Sequence, residues 1–141
     1  VFILDTCVLA ELRANKPRAA QAVRAWASQQ PMAGLYLSAV TLMELEIGVQ
    51  RMQRKDPVQG AHLRAWAERT TERFEDRILP ITARTAWVCA SLHVPNPRPL
   101  GDSLIAATAL EHGFTVVTRN LADFAGTGVK IHDPWTQTAV D

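Results

Sequence analysis

Asp5, Glu44, Asp102 and Asp123 are acidic residues placed where an acid is either costly or useful. Asp5 ends a short apolar run, Val1–Asp5, that reads as a buried strand. Asp102 opens a helical stretch before a β-branched segment, and Asp123 lies in the loop after that segment. Glu44 sits within an otherwise apolar helical stretch, where a charge is expensive unless it is paired or binds a cation. Carboxylates gathered in low dielectric repel one another and raise their own pKa values. A hard divalent cation is the economical reason to keep such a group together. Mg²⁺ takes oxygen ligands octahedrally and retains several waters, so two or three protein carboxylates suffice. The chemistry this suggests is metal-assisted attack of water on a phosphodiester.

Each acid also has a purely structural use. Asp5 can cap the short helix that follows the first strand, and Asp102 is a good N-cap for a helix ending at Gly113. Glu44 stands three residues after Thr41, the spacing of a capping box. Asp123 lies in the turn Asn120-Leu-Ala-Asp123, where Asx turns are common. Glu46 competes with Glu44, because two residues along a helix is a rotation of about 200° and the two cannot face one site. Glu44 shares its side with Val40, Ile47 and Gly48, and Gly48 would admit a close backbone neighbour. Periodicity alone leaves the choice between Glu44 and Glu46 open.

The elements that must position these residues alternate strand and helix. After the first strand comes a short helix through Leu12, then an Ala-rich helix that Pro17 starts and that runs to about Gln29. Leu35–Leu37 is a second strand. Ser38 or Thr41 opens a helix with Leu42, Leu45, Val49 and Met52 on one face and Val40, Met43 and Ile47 on another; apolar on most sides, it reads as interior. Asp56-Pro57 is a strong helix start, followed by a stripe of Leu63, Trp66, Ala67, Thr70 and Phe74. Arg77–Ile81 is a third strand, and Thr82 caps a helix to about His93. The prolines of Val94–Leu100 exclude helix there. A helix from Gly101-Asp102 to Gly113, a strand over Thr115–Thr118, a loop over Arg119–Gly128 and a last strand over Val129–Ile131 complete the chain. Such alternation implies a three-layer α/β/α sandwich around a central parallel sheet of about four or five strands. In such sheets ligands bind outside the carboxyl ends of the strands, which is where Asp5, Asp102 and Asp123 fall.

With 141 residues, residues 1–141 are expected to form a single domain. No apolar run reaches the roughly 20 residues of a membrane span, and no basic segment precedes an apolar one as in a secretory signal. The first residue is Val1, so an initiator Met is expected to be missing. Two cysteines, Cys7 and Cys89, fit a reducing cytoplasm better than a disulfide framework. The four histidines lack ligand spacing, so no zinc signature is present. Net charge is +1, which neither demands nor excludes a nucleic-acid partner. Twelve of the fifteen basic residues are Arg, the side chain whose planar fork suits phosphate. The segment from Arg51 to Arg84 holds eight bases against five acids, which equally describes solvated helix faces with internal ion pairs.

Four segments in register resemble the PIN domain, specifically the VapC/FitB type of bacterial toxin. They are Ile3-Leu-Asp-Thr-Cys-Val-Leu-Ala-Glu-Leu12, Ser38-Ala-Val-Thr-Leu-Met-Glu-Leu-Glu-Ile-Gly48, Asp102-Ser-Leu-Ile-Ala-Ala-Thr-Ala-Leu-Glu-His-Gly113 continuing through Val117-Thr-Arg-Asn-Leu-Ala-Asp-Phe124, and Val129-Lys-Ile-His-Asp-Pro-Trp135. The resemblance implies that Asp5, Glu44, Asp102 and Asp123 are the catalytic and metal-binding quartet, and it favours Glu44 over Glu46. It implies a polar surround of Thr6, Thr118 and Asn120. Cys7 departs from the pattern, since relatives usually carry Asn or Ser there.

The resemblance further implies a cytoplasmic endoribonuclease using one or two Mg²⁺ or Mn²⁺ ions, with Asp5, Glu44 and Asp102 on the first ion and Asp123 on a second or on water. It implies a homodimer held inactive by a VapB/FitA-like antitoxin. Arg119, beside the site, and the Arg-rich helices could hold flanking phosphates of the RNA. Two competing readings are a catalytically silent PIN-like domain that only binds partners, and a phosphohydrolase with Asp5 as nucleophile. The second lacks a further Asp at Cys7 and a well-placed Lys.

Overall fold

The computed structural model describes residues 1–13, 16 and 18–140. The expected helix start at Pro17 lies outside them. Six strands form one sheet in the order β3-β2-β1-β4-β5-β6: β1 Phe2–Leu4, β2 Leu35–Ser38, β3 Ile78–Leu79, β4 Thr115–Val117, β5 Ile131–Asp133 and β6 Thr138–Val140. The first five are mutually parallel, and β6 returns antiparallel against β5. The helices are α1 Thr6–Glu11, α2 Gln21–Ser28, α3 Ala39–Lys55, α4 Pro57–Arg73, α5 Ala83–Leu92, α6 Leu100–His112 and α7 Leu121–Phe124.

Side chains alternate across the strands and divide the core in two. Ile3 and Val116 face a cluster with Ile105, Ala106, Ala109 and Phe124. Leu4 and Val117 face the opposite cluster with Val8, Val23, Trp26 and Phe74. The sheet is therefore covered on both faces, as its short apolar strands require. α6 is buried along Ile105–Ala109 and stops at Gly113, whose φ of +70° is the left-handed cap that glycine adopts without strain.

Several expectations need correction. Val129 precedes β5, which lies two residues later than expected, at Ile131–Asp133. The segment 119–128 holds α7, and β6 is an extra strand that the polar Thr136-Gln137 turn did not announce. α3 is not interior throughout, since Met43 is 54% and Ile47 41% exposed. Gly48 meets nothing within 4 Å of an added Cβ. The close approach is at Gly60 instead, where a Cβ would lie 2.5 Å from the Cα of Gln53, so that glycine is what lets α4 lie against α3.

Candidate active site

Strand order reverses direction between β1 and β4, and this switch point is where an open α/β sheet offers a crevice at its carboxyl edge. Asp5 follows β1 there, and its N–H donates to the carbonyl of Val117 at 2.9 Å, locking it beside the end of β4. The Asp5 side chain is 3% exposed. Its Oδ1 accepts from the Thr6 N–H at 2.8 Å, so it caps α1 as one reading held. Its Oδ2 accepts from the Thr118 hydroxyl at 2.7 Å, so one oxygen serves the cap and the other ties Asp5 to the residue that follows β4.

Glu44 lies in the second turn of α3. The helix is capped by Ser38, whose Oγ accepts from the Val40 N–H at 3.0 Å, so the capping box from Thr41 to Glu44 does not form. Glu44 is free to reach α1, where its Oε1 accepts from the Thr6 hydroxyl at 2.6 Å. Glu46 points away and pairs with Arg64 of α4, with Nη2 to Oε2 at 2.8 Å. Arg64 and Gln50 hold the Glu46 carboxyl down at about 2, a settled ion pair outside the crevice.

Asp102 is not the N-cap of α6. The helix begins two residues earlier, with Pro99 in the cap position and no side-chain cap, which puts Asp102 in its first turn. α6 leads within two residues to β4, so it runs back against the strands and its first turn sits at their carboxyl edge. Glu44 closes the gap to it: its Oε2 is 3.5 Å from where a Cβ on Gly101 would stand. Burial raises the Asp102 carboxyl to about 7, reinforced by the charges of Asp5 and Asp123, a hydrogen bond with Asp123, and the charge of Glu44. Asp5, Asp123 and Glu44 thus each act on Asp102. Asp123 reaches the group from the first turn of α7, where its N–H donates to the Asn120 carbonyl at 3.1 Å.

The surround is partly as expected. Thr6 and Thr118 each donate to a carboxylate. Asn120 contributes its backbone N–H, which donates to Thr118 Oγ1 at 2.9 Å, while its side chain is exposed. Cys7 places Sγ 3.6 Å from Asp5 Oδ2, and burial, then the Asp5 charge, pushes its thiol up to about 11. It stays protonated and serves as one more weak donor to Asp5. Arg119 is exposed and stacks over Trp135.

Sequence reasoning missed the residues that hold the first turn of α6. Ser103 Oγ donates to the Leu100 carbonyl at 2.8 Å and lies 2.8 Å from His93 Nε2. Arg98 ties the proline-rich loop down, with Nε to the Leu92 carbonyl at 2.9 Å and Nη1 to the Ala125 carbonyl at 2.7 Å. These are contacts of ordinary residue types, and only that of Arg98 with Ala125 spans a long stretch of chain.

The donor set fits a hard cation. Every charge that raises the Asp102 carboxyl belongs to another acid, and carboxylate oxygens are the donors a hard cation takes. Among the described residues, no three His, Cys, Asp or Glu side chains form a ready-made cage for a metal ion.

Residues 2–128 match the family model of the PIN domain. The chain belongs to the PIN-domain family. This PIN domain is of the VapC/FitB type. VapC ribonuclease Y4jK of Sinorhizobium fredii is 33% identical over 147 residues, which cover 96% of this chain and 98% of that one. Toxin FitB of Neisseria gonorrhoeae is 30% identical, covering 96% and 99% of the two chains. The crystal structure of FitAcB from Neisseria gonorrhoeae superposes with a TM-score of 0.87 at 30% identity, again over 96% and 99%. Among the described residues of this PIN domain, no helix is long and apolar enough to cross a membrane.

Proposed function

We propose that this chain is a metal-dependent endoribonuclease, the toxin of a toxin–antitoxin pair, and that residues 1–141 act as one domain. The observation that carries the reading is the carboxyl of Asp102, raised to about 7 by burial and by three neighbouring acids at the carboxyl edge of the sheet. A domain that only binds partners has no use for that repulsion. RNA as substrate is supported by the ribonuclease relative at 33% identity.

Asp5, Glu44 and Asp102 would hold a first Mg²⁺ or Mn²⁺, and Asp123 a second ion or a water in its place. When bound, the divalent ion lowers the pKa of water to make a nucleophile and stabilises charge on the phosphorane and the leaving oxygen. The protein's part is orientation. Thr118 and the α1 amide fix Asp5 in one rotamer, and Thr6 fixes Glu44, so two carboxylates are aimed before anything binds. The first turn of α6 brings Asp102 with the positive end of the helix dipole.

The site would be regulated by assembly in the cytoplasm. The groove between α1, α2 and α4, lined by Leu9, Leu12, Ala27, Trp66 and Phe74, supports docking of an antitoxin segment. Exposed apolar side chains from α5 to the start of α6 support a homodimer: Trp87 is 78%, Val94 75% and Leu100 65% exposed. The deciding experiment is cleavage of structured RNAs with and without divalent ion, comparing wild type with Asp5→Asn and Asp102→Asn. Activity that survives full chelation, or both substitutions, refutes the mechanism.

A further inference from the structure

Arg119 follows Thr118, the residue whose hydroxyl is bonded to Asp5, so its backbone stands one residue from the carboxylate cluster. Its side chain does not trail into solvent. The guanidinium lies over the indole of Trp135, with Cζ 5.2 Å from the ring centroid. Trp135 in turn packs against the apolar cluster that contains Leu4, Val8 and Val117.

The turn carrying Trp135 is built to hold it. Asp133 is 5% exposed, and its Oδ1 accepts from the Trp135 N–H at 2.8 Å while its Oδ2 accepts from the Thr136 hydroxyl at 3.2 Å. Gln137 closes the turn by donating to the Pro134 carbonyl at 2.7 Å. The ends of β4 and β5 thereby bring a cation and an aromatic face together.

Among the described residues, the guanidinium of Arg119 enters no ion pair and donates no hydrogen bond. The nearby Glu11 carboxylate acts on it only at a distance. That carboxylate is engaged elsewhere, by Lys16 and by the Ala20 N–H. Arg119 therefore keeps its donors unspent and one face open, while its other face is fixed by the indole. A phosphate uses the donors at the edge of the guanidinium and leaves its open face uncovered. A nucleobase covers that face, because it stacks on a guanidinium plane or an aromatic ring held flat for it.

We propose that Arg119 and Trp135 form a stacking platform for one unpaired nucleobase beside the scissile phosphate. The inference rests on the nuclease reading for the word scissile, but the platform itself is testable as binding.

Labelled dodecamers of adenosine and of uridine are compared with a stable abasic dodecamer of equal charge. Binding is measured by fluorescence anisotropy on the full chain with chelator present, so that nothing is cut. Wild type should bind the adenosine strand about tenfold tighter than the abasic one, within the range stacking on a side chain supplies. Arg119→Lys keeps the charge and should bind both alike. Trp135→Leu should lose most of the preference and Trp135→Phe should keep it, with circular dichroism melts confirming that each is folded.

Equal binding of base-bearing and abasic strands by wild type overturns the platform, as does a full preference retained by Arg119→Lys. With Mn²⁺ added, Arg119→Lys should raise KM more than it lowers kcat. If wild type prefers bases yet cuts no RNA, the nuclease reading fails and the platform stands. If it cuts RNA without preferring bases, the platform alone fails.

Discussion

Replacing Asp102 by Asn should make the ion-free protein more stable while destroying its activity. The carboxyl is raised from 3.8 to about 7, chiefly by burial and then by the charges of Asp5 and Asp123. Each pH unit of such a displacement is worth about 1.4 kcal/mol, which sets a ceiling of about 4 kcal/mol on the destabilisation. Asp102 is only partly buried, so solvent screening reduces this to on the order of 1–2 kcal/mol. The sign follows from proton linkage. The folded chain holds a proton on Asp102 that the unfolded chain has released between pH 3.8 and about 7. Stability therefore falls as pH rises through that window, and the loss is complete above it. An uncharged Asn escapes the loss.

For a chain of this length the gain corresponds to a rise in Tm of roughly 3–8 °C. It should be present at pH 8 in chelator and fade toward pH 4. Thermal melts followed by circular dichroism at both pH values provide the check. Mg²⁺ or Mn²⁺ should raise the Tm of wild type by mass action and that of Asp102→Asn far less. An Asp102→Asn protein that melts at or below wild type at pH 8 would show that the acids do not repel one another and that no cation is needed to hold them together.

Further outcomes follow from the same geometry. Glu44→Gln should abolish cleavage, whereas Glu46→Gln, which breaks only the surface pair with Arg64, should leave kcat/KM within about twofold of wild type. Thr6→Val removes the hydroxyl that orients Glu44; divalent affinity, read by titrating activity with Mn²⁺, should fall about tenfold. Gly60→Ala forces a Cβ into the backbone of Gln53 and should cost about 1–3 kcal/mol in urea unfolding without altering the carboxylate cluster.

The sequence by itself determined a good deal of this protein. The apolar run ending at Asp5, the Asp56-Pro57 start and the Gly113 stop are local signals, and each produced the element it promised at the right place. The stripe Leu63, Trp66, Ala67, Thr70 and Phe74 predicted the inner face of α4, and Ala67, Thr70 and Phe74 are buried. These succeed because backbone preference and periodicity act over a few residues.

What the tertiary structure decided are the partnerships. Periodicity could not choose between Glu44 and Glu46; the choice was made by Thr6, 38 residues away, reaching one, and by Arg64 of α4 reaching the other. Asp5 caps α1 with one oxygen, and its other oxygen is taken by Thr118, 113 residues away. Asp102 read as a cap from the sequence because the proline-rich loop hid a helix start two residues earlier, a start held by the burial of Ser103 against His93. Nothing local announces that Arg119 will lie on Trp135, since the order in which strands pair determines which loops become neighbours. The acids stand far apart in the sequence, and packing across the β1–β4 switch point brings Asp5, Glu44 and Asp123 to act on Asp102.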